Sequence, residues 1–140
     1  MKTLLFLFSL LSYFQLFCQD TSIVEKEIFN KINNYRVNLG KTKLTYNSTM
    51  VRGCRNHSKF MGTNNNLVHV KSLSEVGASA EIIQLNYTDG RTNSEIGIDV
   101  LDIFVDSPLH KKIIEGGYKQ ISVGVYITSD KDLWVTIRFI

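Results

Sequence analysis

The sequence ISVGVYITSDKDLWVTIRF, residues 121–139, decides the fold class. Apolar residues alternate with polar or small ones over Val123–Ile127, and they do so again over Leu133–Phe139. Alternation with a period of two is typical of strands that bury one face. Residues 129–132 between the two runs are polar and charged, so the sequence predicts an antiparallel hairpin with a tight turn.

Apolar residues upstream of this hairpin recur with the three- and four-residue spacing of helices. The first predicted helix begins at Ser22, where Ser22 and Glu25 have the spacing of a reciprocal N-terminal cap, and it ends at Gly40. The stripe expected to be buried is Val24, Ile28, Ile32, Tyr35 and Leu39.

Three further helices are predicted from the same periodicity and from capping residues. The second runs from Asn47 or Ser48 to Gly62, the third from Asn93 or Ser94 to Val105, and a short fourth begins at Pro108 with Ser107 as its cap. Their expected inward residues are Met50, Cys54, His57 and Met61 in the second helix, and Ile96, Val100, Ile103 and Phe104 in the third.

A further short strand is predicted over residues 81–85, between the second and third helices. Strands that are interrupted by helices and that finish in a hairpin favour an α+β fold, in which helices cover a small antiparallel sheet. The chain shows no internal repeat and no low-complexity linker, so the residues after the first eighteen are expected to form one domain.

Residues 1–18 are predicted to be a signal peptide. Lys2 precedes an apolar run at residues 4–11 that is too short to span a bilayer. Cleavage after Cys18 would leave 19–140 as the mature chain, exported to the periplasm or secreted, although Cys18 could instead carry a lipid. No second apolar run of spanning length follows, so no transmembrane segment is expected in the mature chain.

The composition of the mature chain argues against nucleic acid as a partner. Without Lys2, the 16 basic residues fall to 15, against 13 acidic ones, a net charge of +2. No basic run is longer than Lys111-Lys112. Cys54 is then the only cysteine, so no intramolecular disulfide is expected, and its inward helical position predicts an inert buried thiol.

The three histidines are the main candidates for chemistry. His57 lies on the apolar stripe of the second helix, which favours a packed histidine with a backbone partner. His69 precedes a stretch of small residues, and His110 lies at the start of the fourth helix. Ser107 is close to His110, but its position favours helix capping over a role as nucleophile, because no Gly-x-Ser-x-Gly elbow surrounds it.

Six stretches of this chain, taken in order, resemble the CAP superfamily of cysteine-rich secretory proteins, antigen 5 and pathogenesis-related proteins, and in particular its bacterial single-domain members. The resemblance extends from Ile23 to Ile140. The stretches are Asn34-Tyr35-Arg36, Asn56-His57-Ser58-Lys59-Phe60-Met61, His69, Glu81, Ser107-Pro108-Leu109-His110 and Ile121-Ser122-Val123-Gly124-Val125.

The resemblance implies an α-β-α sandwich whose central cleft holds two histidines and an acidic partner, often with a divalent metal. By position, His69 and His110 match the histidine pair and Glu81 matches the glutamate. Three departures are visible: Glu81 lies in Ala-Glu-Ile rather than Gly-Glu-Asn, Phe104 replaces a tryptophan, and the second cleft glutamate is absent, with Ser107 near its place.

These three residues predict an open site for Zn²⁺ or another divalent metal, with two imidazoles, one carboxylate and water as ligands. The dipole of the fourth helix disfavours a charged His110, which would keep that ring able to bind a metal or accept a proton. The alternative is that His69, Glu81 and His110 hydrogen-bond one another and only brace the fold.

Three classes of function remain open at this point. The first is an exported binding or interaction module whose cleft recognises a small apolar ligand, a lipid or a protein partner. The second is a hydrolase in which a metal-bound or histidine-activated water attacks a peptide or an ester. The third is a structural domain. We favour the first, because membership of a fold family fixes geometry and not a reaction.

Overall fold

The computed structural model describes residues 19–140, and the predicted signal peptide lies outside the described residues. Within 19–140 the chain forms four helices and four strands. In chain order these elements are α1 Thr21–Asn38, β1 Thr45–Tyr46, α2 Ser48–Asn64, β2 Ala80–Tyr87, α3 Asn93–Asp106, α4 Pro108–Ile114, β3 Gln120–Ile127 and β4 Asp132–Phe139. Among these residues no helix is both long enough and apolar enough to cross a membrane.

The four strands form one sheet in the order β1-β3-β4-β2. The predicted hairpin is confirmed, with β3 and β4 antiparallel and Val125 opposite Val135. Strand β2 pairs with β4, also antiparallel. The sheet is nevertheless mixed, because β1 pairs with β3 in parallel through only two residues. A strand of two residues has no period, so the sequence pattern could not reveal it.

Helices cover both faces of the sheet, which confirms the predicted α+β class and the α-β-α sandwich. On one face, the main core joins α1, α3 and α4 to alternate residues of β3 and β4. On the other face, a smaller core joins Met61 of α2 to Ile83 and Trp134. The residues of β4 that point towards α2 also include Thr136, which accepts a hydrogen bond from Ser58 at 2.8 Å.

Helix α2 approaches the sheet unusually closely at Gly124. A Cβ atom built on Gly124 would collide with the backbone of Cys54 and Arg55. The hydroxyl of Ser58, one turn further along α2, donates to the Gly124 carbonyl at 2.9 Å. This contact fixes the distance between α2 and the strands.

The start of α1 differs from the prediction. Asp20, not Ser22, is the N-cap, and its carboxylate accepts from the Ser22 N–H at 2.9 Å. Glu25 plays no part in capping. It is buried, and it accepts two hydrogen bonds from Arg55, at 2.7 and 2.5 Å, and one from the Val125 N–H at 3.1 Å. A pattern of neighbouring residues cannot reveal a partner that lies thirty or more positions away.

Some predicted inward residues are also wrong. Leu39 is half-exposed, since the helix ends at Asn38 and Leu39 is already its C-cap. Ile103 is half-exposed as well, because the buried stripe of α3 runs through positions four apart and ends at Phe104. In α2 the buried stripe is rotated from the predicted one, and it consists of Val51, Cys54, Ser58 and Met61.

Two further helix ends differ from the prediction in detail. Helix α2 continues past Gly62 to Asn64, and Asn65 ends it in the left-handed conformation with φ 46°. Ser107 occupies the N-cap position of α4, but its side chain makes no capping hydrogen bond. Pro108 at the first helical position still fits the start of α4, because proline has no N–H that needs a partner.

Candidate functional site

Glu81 of β2 lies at the centre of the candidate site, with its side chain 1% exposed. Its Oε1 accepts from the Val70 N–H at 2.9 Å and lies 3.1 Å from Nδ1 of His69. Its Oε2 accepts from Nε of Arg138 at 2.9 Å. Arg138 lies on β4, directly opposite Glu81 in the β2–β4 register. Both carboxylate oxygens are therefore engaged by the protein itself.

The charge of Glu81 follows from a balance of opposing effects. Burial alone would raise the pKa of the carboxyl group, because a buried charge loses its hydration. The hydrogen bonds from the Val70 N–H, Arg138 and His69 outweigh burial, so that the pKa of Glu81 lies below its usual value. Glu81 is thus a fixed anion at neutral pH.

The contact with Glu81 sets the protonation pattern of His69. An ionised carboxylate only accepts hydrogen bonds, so Nδ1 of His69 is the donor, at 3.1 Å from Oε1. In the neutral ring Nε2 then carries a lone pair. The side chain of His69 is 56% exposed. The structure therefore offers one imidazole nitrogen, oriented by a buried carboxylate, as an acceptor at the surface.

His57 of α2 is the second histidine beside Glu81. Its Nε2 lies 2.8 Å from the carbonyl oxygen of Val68, which can only accept, so Nε2 carries the proton. This bond confirms the predicted packed histidine with a backbone partner. The same Nε2 is also 3.8 Å from Oε1 of Glu81. We call Glu81, Arg138, His57 and His69 the Glu81 cluster.

His110 lies at the edge of this cluster. Its ring packs edge-on against Phe104, with 5.2 Å between the ring centroids. Burial lowers the pKa of His110, and the nearby charge of His69 lowers it further, so the ring is neutral at neutral pH. In the part of the chain that the structure describes, the groups paired with Glu81 within 4 Å are His57, His69 and Arg138. The structure thus brings His69 and Glu81 into contact and leaves His110 outside that contact.

The arrangement does not fit the predicted three-ligand metal centre as it stands. Among residues 19–140, no three His, Cys, Asp or Glu side chains are placed to hold a metal ion together. The carboxylate of Glu81 already accepts three hydrogen bonds, from Val70, His69 and Arg138, which leaves it little capacity to bind a cation. The groups that remain are the imidazole nitrogens of His69 and His110, and two such ligands alone make a weak site.

Exposed apolar side chains lie close in sequence to His57 and His69 of the Glu81 cluster and to His110 at its edge. Leu109, next to His110, is 77% exposed, and Phe60, whose ring stacks on His57 at a centroid distance of 6.3 Å, is half-exposed. Leu67 and Val68, which precede His69, are also exposed. We call Phe60, Leu67, Val68 and Leu109 the apolar rim.

The chain also matches a known family along most of its length. Residues 29–139, which include every residue of the Glu81 cluster, match the model of the CAP family, described as the cysteine-rich secretory protein family. The chain belongs to the CAP family.

Several solved structures share the fold of this chain. This CAP domain superposes on an outer surface protein from Borrelia burgdorferi with a TM-score of 0.68 and 17% identity, over 86% of this chain and 95% of that one. An extracellular protein containing an SCP domain from Bacillus anthracis gives a TM-score of 0.62 and 20% identity, over 84% of this chain and 41% of that one.

A third structure, a cysteine-rich secretory protein from Staphylococcus aureus, gives a TM-score of 0.59 and 12% identity, over 87% of this chain and 40% of that one. This chain thus spans about two-fifths of the length of the Bacillus and Staphylococcus proteins. At these identities the likeness shows the fold alone. No curated protein matches this CAP domain.

Sequence reasoning missed Arg138 as a member of the Glu81 cluster. It assigned His57 a packing role and missed its proximity to Glu81. Arg138 alternates with the inward residues of β4 and would have faced solvent if α2 did not cover that face of the sheet. His57 belongs to the stretch Asn56–Met61 that resembles the family, and that position was the one available signal. Neither residue is close to Glu81 in sequence.

Proposed function

We propose that this CAP domain is an exported binding module, and that the Glu81 cluster and the apolar rim form its recognition surface. The observation that carries the proposal is the hydrogen bonding of Glu81, whose two oxygens are occupied by Val70, His69 and Arg138. A carboxylate held in this way orients His69, and its lowered pKa keeps it ionised at neutral pH. Its role is therefore to position His69 and not to transfer protons.

The surface suits an amphipathic ligand. Leu109 and Phe60 offer apolar area that is exposed in the free domain, and its burial would favour binding. The lone pair on Nε2 of His69 accepts a hydrogen bond, so a hydroxyl or amine on the ligand fits there better than a carboxylate does. The ligand class is thus a lipid or a small apolar molecule with a donor group at one end.

Export is part of this proposal. The predicted signal peptide at residues 1–18 supports it, and so do the solved relatives, which are described as an outer surface protein and as an extracellular protein. A binding module outside the cytoplasm would meet lipids and other amphipathic molecules directly.

The test uses residues 19–140 labelled with ¹⁵N and titrated with 1-octanol, with octanoate as a chain-matched probe that lacks a donor at neutral pH. The amide shifts are expected at the apolar rim and at His69, with 1-octanol binding more tightly than octanoate.

Leu109→Ser should weaken the binding of 1-octanol about fivefold, since it removes apolar burial on the order of 1 kcal/mol. Ile98→Ser changes an exposed apolar residue of α3 that is not part of the rim, and it should leave binding unchanged. Shifts elsewhere, or equal affinities for the two variants, would rule the proposal out.

A hydrolase is the second candidate, and one observation favours it. Nε2 of His69 is exposed and is oriented by a buried carboxylate, which is the geometry of a general base. Glu81, however, is ionised at neutral pH, so it is not available to protonate a leaving group. Hydrolysis of 4-nitrophenyl acetate distinguishes the two functions. Our proposal expects the wild type to be no faster than an equal concentration of free imidazole, and a rate well above it that His69→Gln abolishes would favour the hydrolase.

Divalent-metal binding stays a prediction of the sequence. Its support is the pair of imidazoles, His69 with a free Nε2 and His110 with a lowered pKa. Calorimetric titration of Zn²⁺ into residues 19–140, beside the His69→Ala/His110→Ala double variant, tests it. Weak binding that the double variant loses is expected, and equal heats from both proteins would exclude it.

A further inference from the structure

A surface depression of about 490 Å³ lies between α4 and the loop that follows α1, apart from the Glu81 cluster. Its charged lining is mainly basic, with Lys41 from the loop and Lys111 and Lys112 from α4. The remaining lining residues are Pro108, Glu115 and Gly116. Three lysines against one glutamate give the depression a formal charge of +2.

The one carboxylate of the lining already has a partner. The hydroxyl of Tyr35 donates to Oε1 of Glu115 at 2.7 Å. Burial raises the pKa of Tyr35 to about 12, with Glu115 contributing, so the hydroxyl keeps its proton over the whole neutral range. Glu115 is thus drawn towards α1.

The lysines themselves have no acidic partner. None of the ion pairs formed within residues 19–140 involves Lys41, Lys111 or Lys112. Three ammonium groups around one concave surface repel one another, and an anion between them would relieve that repulsion.

The carbonyl groups at the end of α4 do not depend on the two lysines for hydrogen bonds. Basic residues in the last turn of a helix usually compensate its unpaired carbonyl groups. Here the buried guanidinium of Arg36 has that role, because it donates to the carbonyls of Ile114 at 2.5 Å and Gly116 at 2.9 Å. The charges of Lys111 and Lys112 are therefore available to a ligand.

We propose that this depression is an anion-binding site for a phosphate-bearing ligand. Lysine is a compact point charge that suits phosphate, whereas planar, bidentate binding of a carboxylate favours arginine. The phosphate belongs either to a soluble phosphate ester or to a phospholipid headgroup, and the two sources present the same group to the three lysines. The proposal does not depend on the function proposed for the Glu81 cluster.

The test measures the binding of inorganic pyrophosphate to residues 19–140 by calorimetry at low ionic strength. Wild type is expected to bind, with an affinity that falls as salt is added. Lys111→Gln/Lys112→Gln should bind about tenfold more weakly or worse, since it removes two charge-assisted contacts. Lys26→Gln/Lys59→Gln lowers the net charge equally, at exposed positions of α1 and α2 outside the depression, and should bind as the wild type does.

A second arm identifies the source of the phosphate. Wild type and both variants are sedimented with vesicles of phosphatidylglycerol and phosphatidylcholine. Sedimentation that pyrophosphate competes away and that Lys111→Gln/Lys112→Gln loses identifies a headgroup, and pyrophosphate binding without it identifies a soluble ligand. The proposal is overturned if wild type gives no heat with pyrophosphate, or if the two double variants bind it equally.

Discussion

Arg138 donates from Nε to Oε2 of Glu81 at 2.9 Å, across a pair of residues that lie directly opposite each other in the β2–β4 ladder. The two side chains are almost fully buried, 4% and 1% exposed. The pair lies beneath His69, which donates to the other carboxylate oxygen. The register of two strands therefore determines both the charge of Glu81 and the orientation of His69.

Arg138→Met should destabilise the domain by about 3 to 5 kcal/mol, because it leaves the charge of Glu81 buried without its arginine partner. Urea denaturation of residues 19–140 at neutral pH measures the loss. The double variant Arg138→Met/Glu81→Gln removes the stranded charge and should recover part of the stability. A loss below about 1 kcal/mol in the single variant would mean that the pair is not coupled as described.

Acid titration tests the charge of Glu81 separately. The folded pKa of Glu81 lies below its ordinary value of 4.5, so its contribution to stability is complete above that value and is lost as the pH falls through the lower, folded pKa. Glu81→Gln should therefore be less stable than wild type at neutral pH, and the gap should close in acid. Asp20 and Glu95 also have lowered pKa values, but both proteins retain them. A gap that does not change with pH would contradict the prediction.

The titration of His110 tests its proximity to His69. Burial and the charge of His69 place the pKa of His110 below 6.5. Because the unfolded chain then binds more protons near that pH, this histidine makes the domain less stable as the pH falls through the region. NMR titration of the ring protons should show that His69→Gln raises the pKa of His110 without restoring it fully, since burial remains. An unchanged pKa in the variant would show that the two rings do not interact.

The helices and the terminal hairpin were predictable because local periodicity encodes them. The sequence showed no sign of β1, which consists of two residues held by their pairing with β3. Glu25 was assigned to a cap because Ser22 has the right spacing, although its true partners, Arg55 and Val125, lie thirty and one hundred residues away. Such contacts arise from packing, which a local pattern does not contain.

The candidate site shows the same difference between what local sequence reveals and what only the folded structure reveals. His69 and Glu81 were identified by their resemblance to a family, and they are in contact. Arg138 could not be assigned to the site because only the β2–β4 register brings it to Glu81, and the contact of His57 was missed because it depends on the packing of α2 on the sheet. His110 was expected to share the contact and lies beside it, since its ring packs on Phe104.

Gly124→Ala should destabilise the domain by about 1 to 3 kcal/mol, because the new methyl group would push α2 away from β3. The urea midpoint measures the effect. Gly117→Ala is the matched control, since a Cβ atom there meets no other atom within 4 Å. Equal midpoints for the two variants would mean that α2 does not pack against Gly124 as closely as described.

Gln84→Met should raise the free energy of unfolding of the domain by about 1 kcal/mol or more. Gln84 is buried on β2, and within residues 19–140 neither atom of its amide group has a hydrogen-bond partner. Methionine has a similar length and no group that needs a partner. Ser58→Ala is the contrasting control, because the hydroxyl of Ser58 is satisfied by Gly124 and Thr136, so that its removal should cost about 1 kcal/mol. If Gln84→Met destabilised the domain as Ser58→Ala does, the amide of Gln84 would have to be satisfied in solution by an ordered water molecule or another polar group.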